Sequence, residues 1–452
     1  MSEEQNKNGG EDRKDLSWAE QAFYFGYAKY YGIEVDVDRK MGLDLLKQAA
    51  DLESTDAILA LVTIYENEDD ENASAREAIY WRERQADVHR HLYGMTDKRT
   101  LMALGNLAYA YSLVEDYEKA RAINEPLLEL RRSVLGETHP DTLVTMNNLA
   151  YAYGKLGERR LAAQMEERLL DIRREAAGGD VDEDTLHTMN NLAVTYGQLG
   201  EHRRSYEMLE KVLAGRIRLL GEEDPETLTT MNNLAVAAAE LGENERAVEM
   251  FERIVDIRTR VSGYDHDDTA IARNNLGYTL CDIGEYERAL AIHEELYKMR
   301  LAKFGKMNTN TLASMNNIGL VYEGQGRFEE ALSMHVEVWA LRGELFDEEH
   351  PSTLLSRYHV ALCHGELGDL SVAVLSLEEI YALRCEKSGE ENIRTLEVLE
   401  TLGNFYARLG KYEKAEDALL RTYETRLSLF GEDKADTVRA KKLLDEVKER
   451  KS

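Results

Sequence analysis

A threonine recurs about every 42 residues through most of this chain of 452 residues, and this period limits the possible folds more than any other feature. The nine threonines are Thr100, Thr142, Thr185, Thr227, Thr269, Thr311, Thr353, Thr395 and Thr437. A glycine lies six residues before eight of them. We expect each threonine to open a helix by accepting a hydrogen bond from an unpaired amide of the first turn. We expect each glycine to end the preceding helix in the left-handed conformation.

Each unit of the repeat contains two amphipathic helices. In residues 142–178, a first apolar face is formed by Leu143, Met146, Leu149, Ala150 and Tyr153. Gly157 breaks this helix, and a second face follows with Ala162, Met165, Leu169 and Ile172. Neither helix can bury its face alone, so each hairpin must stack on the next one. The sequence therefore predicts an all-α fold, a solenoid of antiparallel helical hairpins.

The repeated segments resemble the tetratricopeptide repeat, in the 42-residue version found in kinesin light chains. The resemblance lies in TMNNLAVTYGQLGE (188–201), TMNNLAVAAAELGENERA (230–247), SMNNIGLVYEGQGRFEEA (314–331) and the linker GETHPDTL (136–143). It implies that the solenoid is right-handed. Kinesin light chains also carry a long N-terminal heptad segment that joins the heavy chain. This sequence shows no such segment, so we do not expect a motor subunit.

Four regions follow from the repeats and from composition. We expect residues 1–16 to form a disordered acidic tail, because they are polar and contain glycine. Residues 17–92 resemble Sel1-like helical repeats, relatives of the tetratricopeptide hairpin. Residues 93–437 contain eight kinesin-light-chain-like repeats, and we expect residues 438–452 to form a capping helix whose charges face water.

Charge and motifs exclude several classes of function. The formal net charge of −30 disfavours nucleic acid and membrane partners. The polar N-terminus is no signal peptide, and the odd, sparse set Cys281, Cys363 and Cys385 fits a reducing cytosol. These cysteines have no metal-binding spacing, and the histidines His139, His187, His359 and His364 are scattered across repeats. We therefore expect a cytoplasmic protein with no enzyme activity, no cofactor and no metal.

An asparagine ladder is the leading candidate for a binding site. The resemblance makes the sixth residue after each threonine a concave groove position, occupied by Asn106, Asn148, Asn191, Asn233, Asn275 and Asn317, and later by His359 and Thr401. The residue before it is also asparagine from Asn147 to Asn316. An amide side chain offers donors and acceptors, so such a row can pair with the main chain of an extended peptide. The alternative is that these amides tie neighbouring helices together.

Two further rows lie beside the ladder. Tyr109, Tyr151 and Tyr278, nine residues after the threonine, can either contact a ligand or pack against the next repeat. An arginine row recurs near the end of each second helix at Arg131, Arg174, Arg216, Arg258, Arg300, Arg342, Arg384 and Arg426. These arginines can stabilise the helix C-terminus or pair with a neighbouring unit, or they can hold acidic segments of a ligand.

Two functions fit these observations. The first is a scaffold or adaptor that binds an extended segment of another protein in the concave groove. The second is a structural protein that assembles with itself through the array ends or the convex faces.

Overall fold

The computed structural model describes residues 16–67, 74–179, 182–432 and 434–451. Over these ranges the chain forms 21 α-helices and no β-strand, which confirms the all-α prediction. The helices group into two compact units, up to Ala237 and from Ala238 onward. Within each unit, every helix packs mainly on the helices that precede and follow it, as expected for stacked antiparallel hairpins.

The N-terminal segment contains four helices. They are α1 (Trp18–Tyr31), α2 (Arg39–Asp51), α3 (Thr55–Glu66) and α4 (Ala75–Tyr93). A Cβ atom at Gly42 would lie 2.7 Å from the Tyr30 amide nitrogen, so glycine lets α1 and α2 approach closely. Their core includes Leu46, Ile58 and Trp81, all nearly inaccessible to solvent. The Sel1-like assignment stays a prediction, and the predicted tail lies outside the described residues except for Leu16.

The remaining helices follow the 42-residue period. The first helices of the hairpins are α5 (Lys98–Leu113), α7 (Pro140–Lys155), α9 (Glu183–Gln198), α11 (Pro225–Glu240), α13 (Asp267–Asp282), α15 (Thr309–Gly324), α17 (Pro351–Glu366) and α19 (Ile393–Arg408). The second helices are α6 (Tyr117–Leu135), α8 (Arg159–Ala177), α10 (His202–Leu220), α12 (Asn244–Ser262), α14 (Tyr286–Phe304), α16 (Phe328–Leu345), α18 (Leu370–Ser388) and α20 (Tyr412–Phe430). A last helix, α21 (Ala435–Lys451), begins three residues before the predicted cap.

The predicted capping role of the threonines is wrong. The N-cap lies three residues earlier, as at Asp182, whose side chain accepts from the Thr185 amide. Each first helix therefore begins before its threonine, which occupies the third helical position and is fully buried. There Thr142 Oγ1 donates to the Gly136 carbonyl at 2.8 Å, but the Thr227 hydroxyl is buried without a hydrogen-bond partner. Burial is therefore what these threonines share, and only some of them also anchor the linker.

The glycines and small residues behave as the repeat pattern indicates. Gly136 ends α6 with φ 97° and ψ 162°, a conformation that is essentially open only to glycine. Eight residues after the threonine, small side chains let the two helices of a hairpin meet. A Cβ atom at Gly403 would lie 2.6 Å from Leu419 Cγ. The pairing of a small residue on the first helix with a larger one on the second therefore sets the hairpin spacing.

Candidate functional site

In the unit that ends at Ala237, the start of the asparagine ladder faces solvent. Asn106 is exposed, and Asn148 and Asn191 are half-buried. None of these three amides hydrogen-bonds another side chain or main-chain group within the described residues. Tyr109 is 56% exposed and Tyr151 is 51% exposed. The first helices α5, α7 and α9 therefore present amide and tyrosine side chains that are available to a ligand.

An open cavity of about 660 Å³ adjoins this face. Asn106 and Tyr109 line it, together with the apolar side chains of Ile79, Leu113 and Val114. On its polar side, the Arg82 guanidinium and the Glu66 carboxylate form a bidentate ion pair at 2.8 Å. The cavity offers apolar surface beside an amide, the combination that ligand sites commonly show.

Further along the same unit, the ladder ties repeats together. Asn233 Nδ2 donates to Asn190 Oδ1 at 3.4 Å, and the Thr230 hydroxyl lies 3.5 Å from the same oxygen. Asn190 is the first asparagine of its pair and Asn233 is the second asparagine of the next repeat. The bond therefore joins α9 to α11, as the scaffold alternative predicts.

The unit that starts at Ala238 uses the ladder in the same way. Asn317 Nδ2 donates to Asn274 Oδ1 at 2.7 Å, and Asn317 Oδ1 accepts from the Tyr278 hydroxyl at 2.5 Å. Asn317 is only 3% exposed, whereas Asn275 is half-buried. Tyr278 and Asn317 thus belong to an inter-repeat network, and they are poorer ligand candidates than Asn106 and Tyr109.

The three predicted tyrosines also differ in whether they are accessible or bonded within the protein. Tyr151 packs edge-on against Tyr117, with ring centroids 5.9 Å apart, and Lys155 Nζ lies 5.3 Å from its ring. Half of its surface nevertheless remains exposed. Tyr109 and Tyr151 keep accessible aromatic surface, while the hydroxyl of Tyr278 is bonded within the protein.

The arginine row is a structural element. Arg131 Nη1 donates to the Asp141 carbonyl and to the Thr145 hydroxyl, both at 2.7 Å, in the next repeat. Arg216 makes the same two bonds, to the Glu226 carbonyl and the Thr230 hydroxyl, which lie ten and fourteen residues further along the chain. Its side chain is only 2% exposed. Burial lowers the pKa of Arg131. These guanidinium groups therefore bind the following helix and are not presented to a ligand.

One member of the predicted row is displaced by a single residue. Arg173, not Arg174, donates to the Asp184 carbonyl at 2.6 Å and to the Thr188 hydroxyl at 2.5 Å. The spacing from Thr142 to Thr185 is 43 residues instead of 42. The extra residue follows helix α8, so counting back from Thr185 points to the wrong arginine.

A buried cluster of titratable side chains lies between three helices of the second unit. Glu323 lies in the last turn of α15, His335 lies in α16, and His359 lies in α17. Glu323 Oε1 is 3.2 Å from His335 Nε2 and 3.1 Å from His359 Nδ1. Burial would raise the pKa of Glu323, but the hydrogen bonds with both histidines lower it to about 2. Burial lowers the pKa of His335.

The sequence analysis missed this cluster, although the repeats contain a signal for it. The residue twelve after the threonine is small in other repeats, as at Gly197 and Gly365, but is Glu323 here. The residue 24 after it is leucine at Leu377 and Leu419, but is His335 here. His359 also interrupts the asparagine ladder. Aligning the repeats for exceptions, instead of searching for a local motif, would have found it.

Stacked two-helix repeats with an accessible first-helix face define a class of protein: helical repeat scaffolds. The sequence profile of the tetratricopeptide repeat matches residues 76–175, 184–260, 238–302 and 310–386. A second tetratricopeptide repeat profile matches residues 395–436. These matches cover more than half of the chain, so the chain belongs to the tetratricopeptide repeat family. The resemblance inferred from the sequence is thereby confirmed.

Two solved structures show the same fold, and a third matches part of the chain. The apo form of the quorum sensor NprR from Bacillus thuringiensis is 16% identical, covers 84% of this chain and 99% of its own, and has a TM-score of 0.56. A Rap protein complexed with Competence and Sporulation Factor is 11% identical, with coverage of 84% and 99% and a TM-score of 0.53. A kinesin light chain from Podospora anserina with nearly identical TPR-like repeats is 25% identical over 45% of this chain and 95% of its own, with a TM-score of 0.40.

Comparison with curated proteins finds no match to this sequence. Among the helices of the described ranges, none combines the length and the apolar character that crossing a membrane requires.

Proposed function

We propose that this protein is a non-enzymatic cytoplasmic scaffold that binds an extended segment of another protein along the first-helix face of α5, α7 and α9. The observation that supports this most is the set of unbonded amides of Asn106, Asn148 and Asn191 beside exposed Tyr109 and Tyr151. The proposed site is shorter than the groove predicted from the sequence, because the side chains of Asn233 and Asn317 already form hydrogen bonds within the protein.

The chemistry of this face suits a peptide main chain. An amide side chain can donate to a peptide carbonyl and accept from a peptide amide, whatever the sequence of the ligand. Successive asparagines stand one repeat apart, so an extended segment can engage them in turn. We further propose that the cavity beside Asn106 and Tyr109 takes an apolar side chain, since Ile79, Leu113 and Val114 line it.

A protein of the same fold provides an analogy. The Rap structure was solved with a bound factor, Competence and Sporulation Factor, and its fold resembles that of this chain. The low identity of 11% shows the fold alone, so the choice of ligand must be argued from the residues described above.

The test is a comparison of two double variants in the full chain. Peptides that bind the protein are first selected from a display library of random segments, and their affinity is then measured by fluorescence anisotropy. The variant Asn106→Ala with Asn148→Ala should lose two hydrogen bonds and about 1–3 kcal/mol of binding free energy, roughly 5- to 150-fold in Kd. Its melting temperature should not change, because neither amide bonds another group of the protein.

The matched control replaces bonded members of the same ladder. Asn233→Ala with Asn317→Ala should lower stability by about 1–3 kcal/mol for each buried partner left unpaired, with peptide affinity unchanged. If the control variant loses affinity and the first variant does not, the proposed face is wrong. Measuring the mass of the wild-type protein in solution separates a monomeric receptor from the self-assembling alternative.

A further inference from the structure

We propose that Glu323, His335, His359 and Cys363 form a buried binding site for a divalent transition-metal ion, for which Zn²⁺ fits best. The four residues come from α15, α16 and α17, so a bound ion would join two consecutive repeats of the second unit. This site is independent of the peptide-binding face proposed above.

Three potential donor atoms surround Glu323 Oε1 at distances close to those between ligands of a zinc ion. Glu323 Oε1 lies 3.2 Å from His335 Nε2, 3.1 Å from His359 Nδ1 and 3.5 Å from Cys363 Sγ. The carboxylate and the two imidazole nitrogens all lie within 4.8 Å of one another. Zinc bonds of about 2.0–2.3 Å in a tetrahedron place neighbouring donors roughly 3.3–3.7 Å apart.

The types of ligand also suit zinc. Imidazole nitrogen, carboxylate oxygen and thiolate sulfur are the groups that bind Zn²⁺ in proteins. His359 and Cys363 are four residues apart on α17, so they project from the same face of one helix. Zinc binds cysteine as the thiolate, so coordination of this sulfur would release a proton.

The repeat supplies an independent argument, because Glu323 and His359 are residue types that no other repeat has at the equivalent positions. Glu323 stands where other repeats have a small residue, and His335 stands where later repeats have leucine. His335 is fully buried, and its Nδ1 atom has no hydrogen-bond partner. Gly319 makes room for its ring, because a Cβ atom there would lie 2.5 Å from His335 Cε1. A carboxylate and two imidazoles that are buried together are costly unless they share a compensating partner.

His293 shows what the same core position looks like without such neighbours. It lies 42 residues before His335, is 1% exposed, and faces Gly277 in the same manner. It is not part of the Glu323, His335 and His359 group of potential ligands. His293 therefore provides a matched control for the effect of replacing a buried histidine at this position.

The experiment uses the full chain after chelation and removal of the chelator. Isothermal titration with ZnCl₂ should show one ion bound for each chain, and bound zinc should raise the melting temperature. His335→Leu and His359→Asn restore residues found at the equivalent positions of other repeats, so both variants should fold. Each should weaken zinc affinity at least tenfold, whereas His293→Leu should leave it unchanged.

Cobalt tests the sulfur ligand separately. Co²⁺ in the wild-type protein should show a tetrahedral absorption spectrum with a thiolate charge-transfer band, and Cys363→Ser should lose that band. Absence of a one-to-one site in wild type, or zinc binding that survives His335→Leu combined with His359→Asn, would overturn the proposal. In that case the cluster is a hydrogen-bonded carboxylate and histidine group that binds no metal. A wild-type cobalt spectrum without the thiolate band would overturn the assignment of Cys363.

Discussion

Replacing His293 with leucine should stabilise the protein, and the gain should grow as pH falls. His293 lies in α14, is 1% exposed, and neither ring nitrogen has a hydrogen-bond partner. At neutral pH, burial of these unpaired polar atoms costs about 1–3 kcal/mol. Leucine removes them, and the pair Gly403 and Leu419 shows that leucine fits opposite glycine at the equivalent place in another repeat.

The pH dependence follows from proton binding. Burial, with a smaller effect from Arg300, lowers the pKa of His293 from 6.5 to about 4. Between these values the unfolded chain binds a proton that the folded chain does not, so wild-type stability falls as pH falls. From pH 7.5 to pH 5.5 this linkage amounts to about 1.3 kcal/mol. His293→Leu lacks this contribution.

Urea unfolding at the two pH values measures both effects. The His293→Leu variant should exceed wild type by about 1–3 kcal/mol at pH 7.5, and by a further ~1.3 kcal/mol at pH 5.5. All other titrating groups are common to both proteins and cancel in the difference. A stability difference that is independent of pH would refute the lowered pKa. A variant less stable than wild type at pH 7.5 would show that the imidazole has partners in solution.

Two further predictions concern the linkers between repeats. Thr142→Val should cost about 0.5–1.5 kcal/mol in thermal unfolding, because it removes the bond to the Gly136 carbonyl. Thr227→Val should leave stability unchanged or raise it, because the Thr227 hydroxyl is buried without a hydrogen-bond partner. An equal loss of stability in both threonine variants would contradict the role given to the Thr142 hydrogen bond. Arg216→Ala should lower the free energy of unfolding by about 1.5–3 kcal/mol through its lost charged hydrogen bonds, and exposed Arg218→Ala is the control. Equal effects of the two arginine variants in urea unfolding would exclude the buried tie.

The period of the sequence was sufficient to predict the fold. A threonine marks every repeat from residue 100 onward and a glycine precedes all but one of these threonines, while the apolar faces between them predict two helices for each repeat. Helix starts were less predictable, because the true N-cap varies among Asp182, His266 and Asn308 and so does not stand out as one repeated letter. The repeated residue, threonine, is instead buried in the interior of every repeat.

The candidate sites were only partly predictable, because their partners lie one repeat away. The sequence shows two adjacent asparagines in five of the repeats, but not that Asn190 meets Asn233 across 43 residues. The same holds for Arg131, whose hydroxyl partner Thr145 has counterparts in most but not all repeats. Position along the repeat is therefore readable from sequence, whereas the choice between binding a ligand and binding a neighbour depends on packing.

The asparagine ladder can bind a ligand in some repeats and a neighbouring repeat in others. In a repeat array, stability is close to a sum of single-repeat terms and nearest-neighbour terms. Asn317 contributes to a neighbour term through its two hydrogen bonds, whereas the amide of Asn106 makes no such bond and can be given to a ligand without loss of stability. For the same reason, an ion held by Glu323, His335 and His359 would strengthen only the interface it bridges. Peptide affinity should therefore be insensitive to zinc if the ligand lies on α5, α7 and α9, and a zinc-dependent affinity would place the ligand on the second unit instead.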